Sequence, residues 1–293
     1  MKSQFTLDNP MPPVWMMYPD ISQYSIGWRM GGGEDYKYKL LSWLDRLSPQ
    51  QQRQYQQMFP APKAWRGYYT PEDQTEDGDD FICGHVVLWN RHGEMAYSRD
   101  KLMCGYNSGD RPEYLFFWKP NHDAADKTCL GQWQHSTFHV DTDTYRCAEQ
   151  YMMAEKACLF DDSEIEKQIM NATDAKHMKA LGQKIRHFDQ ALWDKAKHAI
   201  VLNANYYKFT QNRPMRDFLL STGNKVLVEA SPLDTIWGIG LGEDNPNAIN
   251  PNRWRGTNLL GFALMEVRDD LRKVYANYHK IDWSQFSAYQ KPE

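Results

Sequence analysis

Between residues 143 and 278 apolar positions recur at helical spacing in successive blocks, and most blocks are preceded by a capping residue. Asp143-Thr144 leads into TYRCAEQYMMAEKACLF, Asp174 into a short helix through KHMKALGQKI, and Asp189 into the long run QALWDKAKHAIVLNANYYKF. Asn212 and Pro214 open MRDFLLST, which Gly223 closes, and NLLGFALMEVRDDLRKVYANY forms a last amphipathic helix. One strand stands out in this region. KVLVEAS places Val226, Leu227 and Val228 in succession, the pattern of a strand buried on both faces.

The first third has a different texture. EDYKYKLLSWLDRL follows Gly31-Gly32-Gly33, and Ser48-Pro49 then opens QQQRQYQQMF, which together predict a short helical hairpin. FICGHVVLWN and EMAYS flank Arg91-His92-Gly93, a β-hairpin signal with glycine in the turn. PEDQTEDGDD, Pro71 to Asp80, has no apolar residue and reads as a solvated loop. CGYNSGDRP, Cys104 to Pro112, is a second break and sets a boundary near residue 110. The expected organisation is a small mixed α/β extension over 1–110, a mainly helical region over 111–275 and a tail over 276–293, in the α+β class with helix dominant.

Composition narrows the function classes. Lys and Arg number 34 against 38 Asp and Glu, a formal charge of -4, which excludes the polycationic surface of a protein that coats nucleic acid. Apolar residues are 41% of the chain, yet Trp 11, Tyr 17 and Phe 12 bring aromatics to 14%, so much of the core must be ring. No apolar run approaches the ~20 residues that span a bilayer. The N-terminus lacks the apolar segment of a secretory signal, so the expected compartment is cytoplasmic. Cys83, Cys104, Cys129, Cys147 and Cys158 are odd in number and form no CxxC pair, which reads as five free, buried thiols. His85 and His92 stand alone and are read as structural or solvated.

Two segments carry candidate chemistry. Glu149 and Lys156 lie seven residues apart on one helical stripe, about two turns or 10.5 Å of rise. Glu and Lys on a helix are ordinarily solvated, but Cys147, Ala148, Tyr151, Met152, Met153, Ala154, Ala157 and Cys158 make this helix apolar nearly all round, which points to burial. A buried lysine is shifted toward its neutral amine, and a carboxyl facing an amine across a sugar can serve acid/base and nucleophilic roles. The second segment, Ser231 to Gly261, is long and rich in turn formers. Trp237 and Trp254, with the close backbone approach allowed by Gly238, Gly240, Gly242 and Gly256, would floor a pocket for a flat base, with Asp234 and Asn258 as polar contacts. The alternative is that both rings only fasten the loop to the core. WGIGLG does not fit G-x-G-x-x-G, so it is no dinucleotide fingerprint.

The succession Phe116-Phe117-Trp118, TYRCAEQYMMAEKA, ALGQKI, Trp193, Lys208-Phe209, LLSTG, LVEASPLDTIWGIGL and WRGTNLLGFALMEVR resembles the NADAR (YbiA-like) family. The resemblance covers residues 111 to 275 and leaves the first 110 outside. It implies a compact, mainly helical α+β domain whose cleft takes an ADP-ribose-like or ribosyl-base ligand, with no metal and no cofactor. It also implies cleavage of an N-glycosidic bond, either ADP-ribose on guanine or a pyrimidine intermediate of riboflavin synthesis. Matched position by position, the family's acidic helix position falls on Glu149, its lysine on Lys156, and its D-x-x-W-G loop on Asp234, Trp237 and Gly238. Its loop asparagine falls on Asn258. Where the family has Ser-Asn-Phe near the domain start, this chain has Gly131-Gln132-Trp133, so Gln132 and Trp133 take the binding positions, joined by Trp254. Three readings follow: an enzyme removing ADP-ribose from guanine in nucleic acid or nucleosides, paired with an ADP-ribosyltransferase toxin; a hydrolase for ribosyl-pyrimidine metabolites; and a non-catalytic NAD or ADP-ribose sensor.

Overall fold

The computed structural model describes residues 5–69, 82, 86–120 and 125–289. The acidic stretch 71–80, Cys83 and His85 lie outside the described residues. The chain begins with α1 (Val14–Met17), α2 (Gly32–Leu44) and α3 (Pro49–Met58). The two helices predicted there form, and α3 starts on a reciprocal cap: Ser48 Oγ accepts from the Gln51 amide while Gln51 Oε1 accepts from the Ser48 amide. Much of the ring surplus sits in this segment. Trp15 packs 5.2–5.7 Å from Trp65, Tyr68 and Tyr69, within a buried cluster that runs without a break into the helices beyond residue 145.

The predicted β-hairpin around Arg91-His92-Gly93 does not form a ladder among the described residues. Instead the Val87 carbonyl accepts from the Asn203 carboxamide at 2.9 Å, and 91–93 is a 3₁₀ turn with His92 at φ 57°. A side chain on a neighbouring helix has taken the backbone partner that a second strand would have supplied. The break at 104–112 is also shorter than its composition suggests, because Cys104 to Asn107 finish α4 (Arg99–Asn107), capped by Ser98. The four described cysteines form no disulfide, as expected, but Cys104 and Cys158 are exposed while Cys129 and Cys147 are buried.

β1 (Tyr114–Phe117) follows, then the antiparallel pair β2 (Phe138–Val140) and β3 (Asp143–Tyr145). The helix predicted from Thr144 therefore begins later, as α5 (Ala148–Leu159), because 143–145 pairs with 138–140. Next come α6 (Ser163–Asn171), α7 (Ala175–Gly182), α8 (Gln190–Gln211), α9 (Arg213–Ser221), β4 (Val226–Glu229) and α10 (Leu259–Val274). Asp174 and Asp189 cap α7 and α8 as their positions predict, accepting from the His177 and Leu192 amides. Gly223 ends α9 at φ 60°. Helix dominates two small sheets, and the class is α+β.

β1 and β4 pair in parallel, from Tyr114 opposite Val226 to Phe117 opposite Glu229, although 112 residues separate the partners in sequence. Val226, Leu227 and Val228 are all buried. α10 lies directly on β4, and Gly261 permits this: a Cβ there would run into the Leu227 carbonyl and the Asn258 carboxamide. Gly261→Ala is therefore expected to destabilise the fold by about 2 kcal/mol or more, read as a lower urea midpoint with an unchanged slope. The N-terminal segment is fastened to this framework by polar contacts. Asp141 accepts from the Ser22 amide at 2.9 Å and its hydroxyl at 2.7 Å, Asp270 from the Lys63 amide at 3.0 Å, and Glu266 from the Ala96 amide at 3.0 Å. Among the described residues no helix is long and apolar enough to cross a membrane.

Candidate active site

α5 is enclosed by α6, α7 and α8, so the near-continuous apolar girdle of its sequence is satisfied by burial on most sides. Glu149 lies in its first turn and is 3% exposed; Lys156, two turns on, is half-buried. Both line a cavity of about 440 Å³, within the range of ligand sites. The far wall comes from the carboxyl ends of β1 and β4. These deliver Trp118 just past Phe117, and Glu229 as the last residue of its strand. The loop after β4 adds Asp234 and Trp237, α7 adds Lys179, and α8 adds Trp193.

Glu149 is held on both sides. Its amide donates to the Gln132 carbonyl at 3.0 Å, the Trp133 indole lies near enough to its carboxyl to favour the charged form, and Oε1 is buried without a partner. Burial pushes this carboxyl up to about 7, against the opposing pull of Lys179. The Lys156 amine donates to the Gly182 carbonyl at 2.9 Å and sits 4.4 Å from the Phe188 ring centroid and 5.3 Å from that of Trp193. Burial lowers its pKa, with Glu149 opposing. The 131–133 loop is braced from α8: buried Lys208 donates to the Gly131 carbonyl at 2.9 Å, and Asn205 to Gln132 Oε1 at 3.2 Å. Burial brings the Lys208 amine down to about 8.

The raised Glu149 value has a consequence for stability. Unfolded, this carboxyl titrates near 4.5; folded, near 7. Between those values the folded protein keeps a proton the unfolded chain has lost, so stability falls as pH rises through the window and the full cost stands above it. Glu149→Gln removes that cost, about 3 kcal/mol. The variant is expected to be more resistant to urea than wild type at pH 8 and nearly equal to it at pH 4.

Asp234 shapes its loop. Oδ1 accepts from the Ile236 and Trp237 amides at 2.9 and 2.7 Å, with the Gly238 amide at 3.5 Å, while Oδ2 lies 3.8 Å from Lys179 Nζ. Trp237 lines the cavity; Gly238 is not among the lining residues, and a Cβ there would meet the Glu229 and Asp234 carbonyls. Gln132 and Trp133 line it as well, Trp133 being 38% exposed at the mouth. Trp254 and Asn258 are elsewhere. The Trp254 indole donates to the Ala248 carbonyl at 2.7 Å and its ring packs edge-on against Tyr114, so it fastens the loop and does not floor the cavity. Asn258, fully buried, accepts from the Glu229 amide and donates to the Leu227 carbonyl, which fixes the end of β4. Among the cavity residues that a reading of the sequence misses are Glu229, Lys179 and Trp118. Glu229 hides because the polar end of an apolar strand reads as a solvated terminus. Its position in VEAS, within the family succession, was the available signal.

Residues 116–272 match the NADAR domain family, more than half of the 293 residues. The chain belongs to the NADAR family. Over 163 residues it is 42% identical to an N-glycosidase of Acanthamoeba polyphaga mimivirus, covering 54% of this chain and 96% of that protein. It is 26% identical over 155 residues to N-glycosidase YbiA of Escherichia coli (strain K12), covering 53% and 86% of the two chains. A riboflavin biosynthesis protein of Vibrio vulnificus (strain YJ016) matches at 26% over 189 residues, 64% of this NADAR chain and 47% of the relative. Among solved structures, the NMR structure of E. coli YbiA aligns with a TM-score of 0.43 and 24% identity, over 55% of this chain and 86% of that one.

Proposed function

We propose that this NADAR protein is an N-glycosidase that removes ADP-ribose from guanine in a nucleoside or nucleic acid. The coarser activity, hydrolysis of an N-glycosyl bond, is the one named for its curated relatives. The observation that carries the reading is the buried Glu149 carboxyl, protonatable near neutral pH and with an unpartnered oxygen, in one cavity with the half-buried Lys156 amine. A carboxyl of that kind can move a proton at pH 7, and a desolvated amine can act as a nucleophile.

In this scheme the Lys156 electron pair attacks the anomeric carbon, the C1′–N bond breaks with its pair going to the base, and the base leaves with a proton. The resulting imine with ring-opened ribose is hydrolysed by water, and Glu149 handles protons in both halves. Lys179 and Asp234 Oδ2 face the sugar hydroxyls. At the mouth, Lys119 lies 4.7 Å from the Trp118 ring centroid and Lys179 lies 5.9 Å from that of Trp133. Each pair sets a cation over an indole face at the mouth, and both the charge and the ring suit a base with its phosphate. We place the catalytic domain at 111–275 with 1–110 braced against it as an extension, 276–293 as a tail, and an ADP-ribosyltransferase that modifies guanine as the source of substrate.

The name of the Vibrio relative favours a second reading, a ribosyl-pyrimidine intermediate of riboflavin synthesis as substrate. The test is kcat/KM for ADP-ribosylated guanosine, for the pyrimidine riboside and for NAD with one preparation of the full chain. Preference for the first by tenfold or more supports the proposal; preference for the second replaces it.

A further inference from the structure

We infer that Glu229 is a second catalytic carboxyl, the one that delivers the proton to the leaving base, so that Glu149 takes the proton of the attacking group. This rests on the N-glycosidase reading above and assigns a role within it. Among the described residues, other buried carboxyls have partners. Asp162 accepts from Arg186, Glu266 from the Ala96 amide, Asn90 and His198, and Asp270 from the Lys63 amide. Among the described residues, the buried carboxyl oxygens with no partner are Glu149 Oε1 and Glu229 Oε2, and both residues line the same cavity. A polar atom shut from solvent without a partner is costly and calls for an explanation, which a ligand at this position supplies.

The backbone beneath Glu229 is fixed from both sides. Its amide donates to Asn258 Oδ1 at 3.0 Å and its carbonyl accepts from the Ile239 amide at 3.0 Å, at the last pair of the β1–β4 register. A side chain on such a support is held in one place relative to the cavity. The charged groups acting on it are Asp234 from the loop, Glu149 from α5 and Lys179 from α7. Burial, then Asp234 and Glu149, raise Glu229 to about 8, with Lys179 opposing. Both carboxyls are thus driven toward their protonated forms, and their placement divides their roles: Glu149 shares α5 with the Lys156 nucleophile, whereas Glu229 enters from the far wall at the end of β4, the leaving group's side. Two interacting carboxyls in one site give up their protons one after the other, so one can serve as acid while its partner serves as base.

The step balances. The C1′–N bond breaks, its electron pair goes to nitrogen, and that nitrogen takes the Glu229 proton, leaving a carboxylate. The Lys156 nitrogen forms its bond to C1′ and yields a proton to Glu149; water then hydrolyses the resulting imine, which breaks the C1′–lysine bond and frees ribose and amine, and proton exchange with solvent returns both carboxyls to their starting forms. The net change is addition of one water across the bond.

The test uses the full chain with two probes: ADP-ribosylated guanosine, and the 4-nitrophenyl glycoside of ADP-ribose, whose leaving group departs without a proton. With the nucleoside, Glu229→Gln is expected to lower kcat by about 10²–10³ with KM within about threefold. The wild-type kcat profile should fall on its alkaline side, and this limb should be missing from the variant. With the nitrophenyl probe the same variant should stay within about fivefold of wild type. Equal losses on both leaving groups, or wild-type kcat on the nucleoside, would overturn the assignment. Glu229→Asp guards against misfolding: it should recover part of the nucleoside rate, and recovery by Gln in its place would contradict a proton-donor role. Wild-type protein that releases nothing from ADP-ribosylated guanosine overturns the glycosidase reading itself, an outcome distinct from any of these.

Discussion

Glu149→Gln is expected to lower kcat for base release by about 10²–10⁴, the usual contribution of positioned proton transfer. Glutamine keeps the length and nearly the shape of the side chain, so the cavity wall it forms is preserved. The Gln132 carbonyl continues to hold the residue's backbone amide. What disappears is a carboxyl that exchanges its proton near pH 7. Ligand affinity should therefore change little, and loss in kcat without loss in binding marks a group used in the transition state. The same substitution should raise stability at pH 8, so inactivity and unfolding are told apart by one denaturation curve. A variant that is both inactive and less stable would mean that Glu149 supports the fold.

Lys156→Met is expected to lower kcat on the order of 10³, and wild-type protein reduced with borohydride during turnover should carry a ribose adduct on the Lys156 peptide. Methionine preserves the contact with Phe188 and Trp193 while removing the nitrogen. The amine is held by one carbonyl, that of Gly182, against two aromatic rings. Burial there lowers its pKa, which increases the fraction present as a nucleophile. Mass spectrometry of the digested protein reads the adduct. An unmodified lysine in an enzyme that is still turning over would remove the covalent step and leave a carboxylate supporting an oxocarbenium ion as the route.

The local features of the fold were legible because their causes are local. Ser48, Asp174 and Asp189 are caps that need only the next three residues, and the apolar girdle of α5 already implied that Glu149 is buried. Pairing at a distance was not legible. β1 is four residues long and finds its partner 112 positions away, and β3 replaced the first turn of an expected helix by pairing with β2. The same limit governed the candidate site. Residues on one helix, Glu149 and Lys156, could be related by spacing, whereas Glu229, Lys179 and Trp118 reach the cavity from separate elements. Trp254 shows the converse error. A tryptophan in a glycine-rich loop suits a stacking platform, but its indole N–H also needs an acceptor, and the Ala248 carbonyl supplies one away from the cavity.

The central claim is that this cavity breaks an N-glycosyl bond with Glu149 as a proton carrier. Its most direct test is chromatography of ADP-ribosylated guanosine incubated with wild-type protein and with Glu149→Gln. The expected result is free guanosine and ADP-ribose from the wild type, with the modified nucleoside bound but intact on the variant. Wild-type protein that binds the nucleoside and releases neither product would contradict the account and identify the cavity as a sensor.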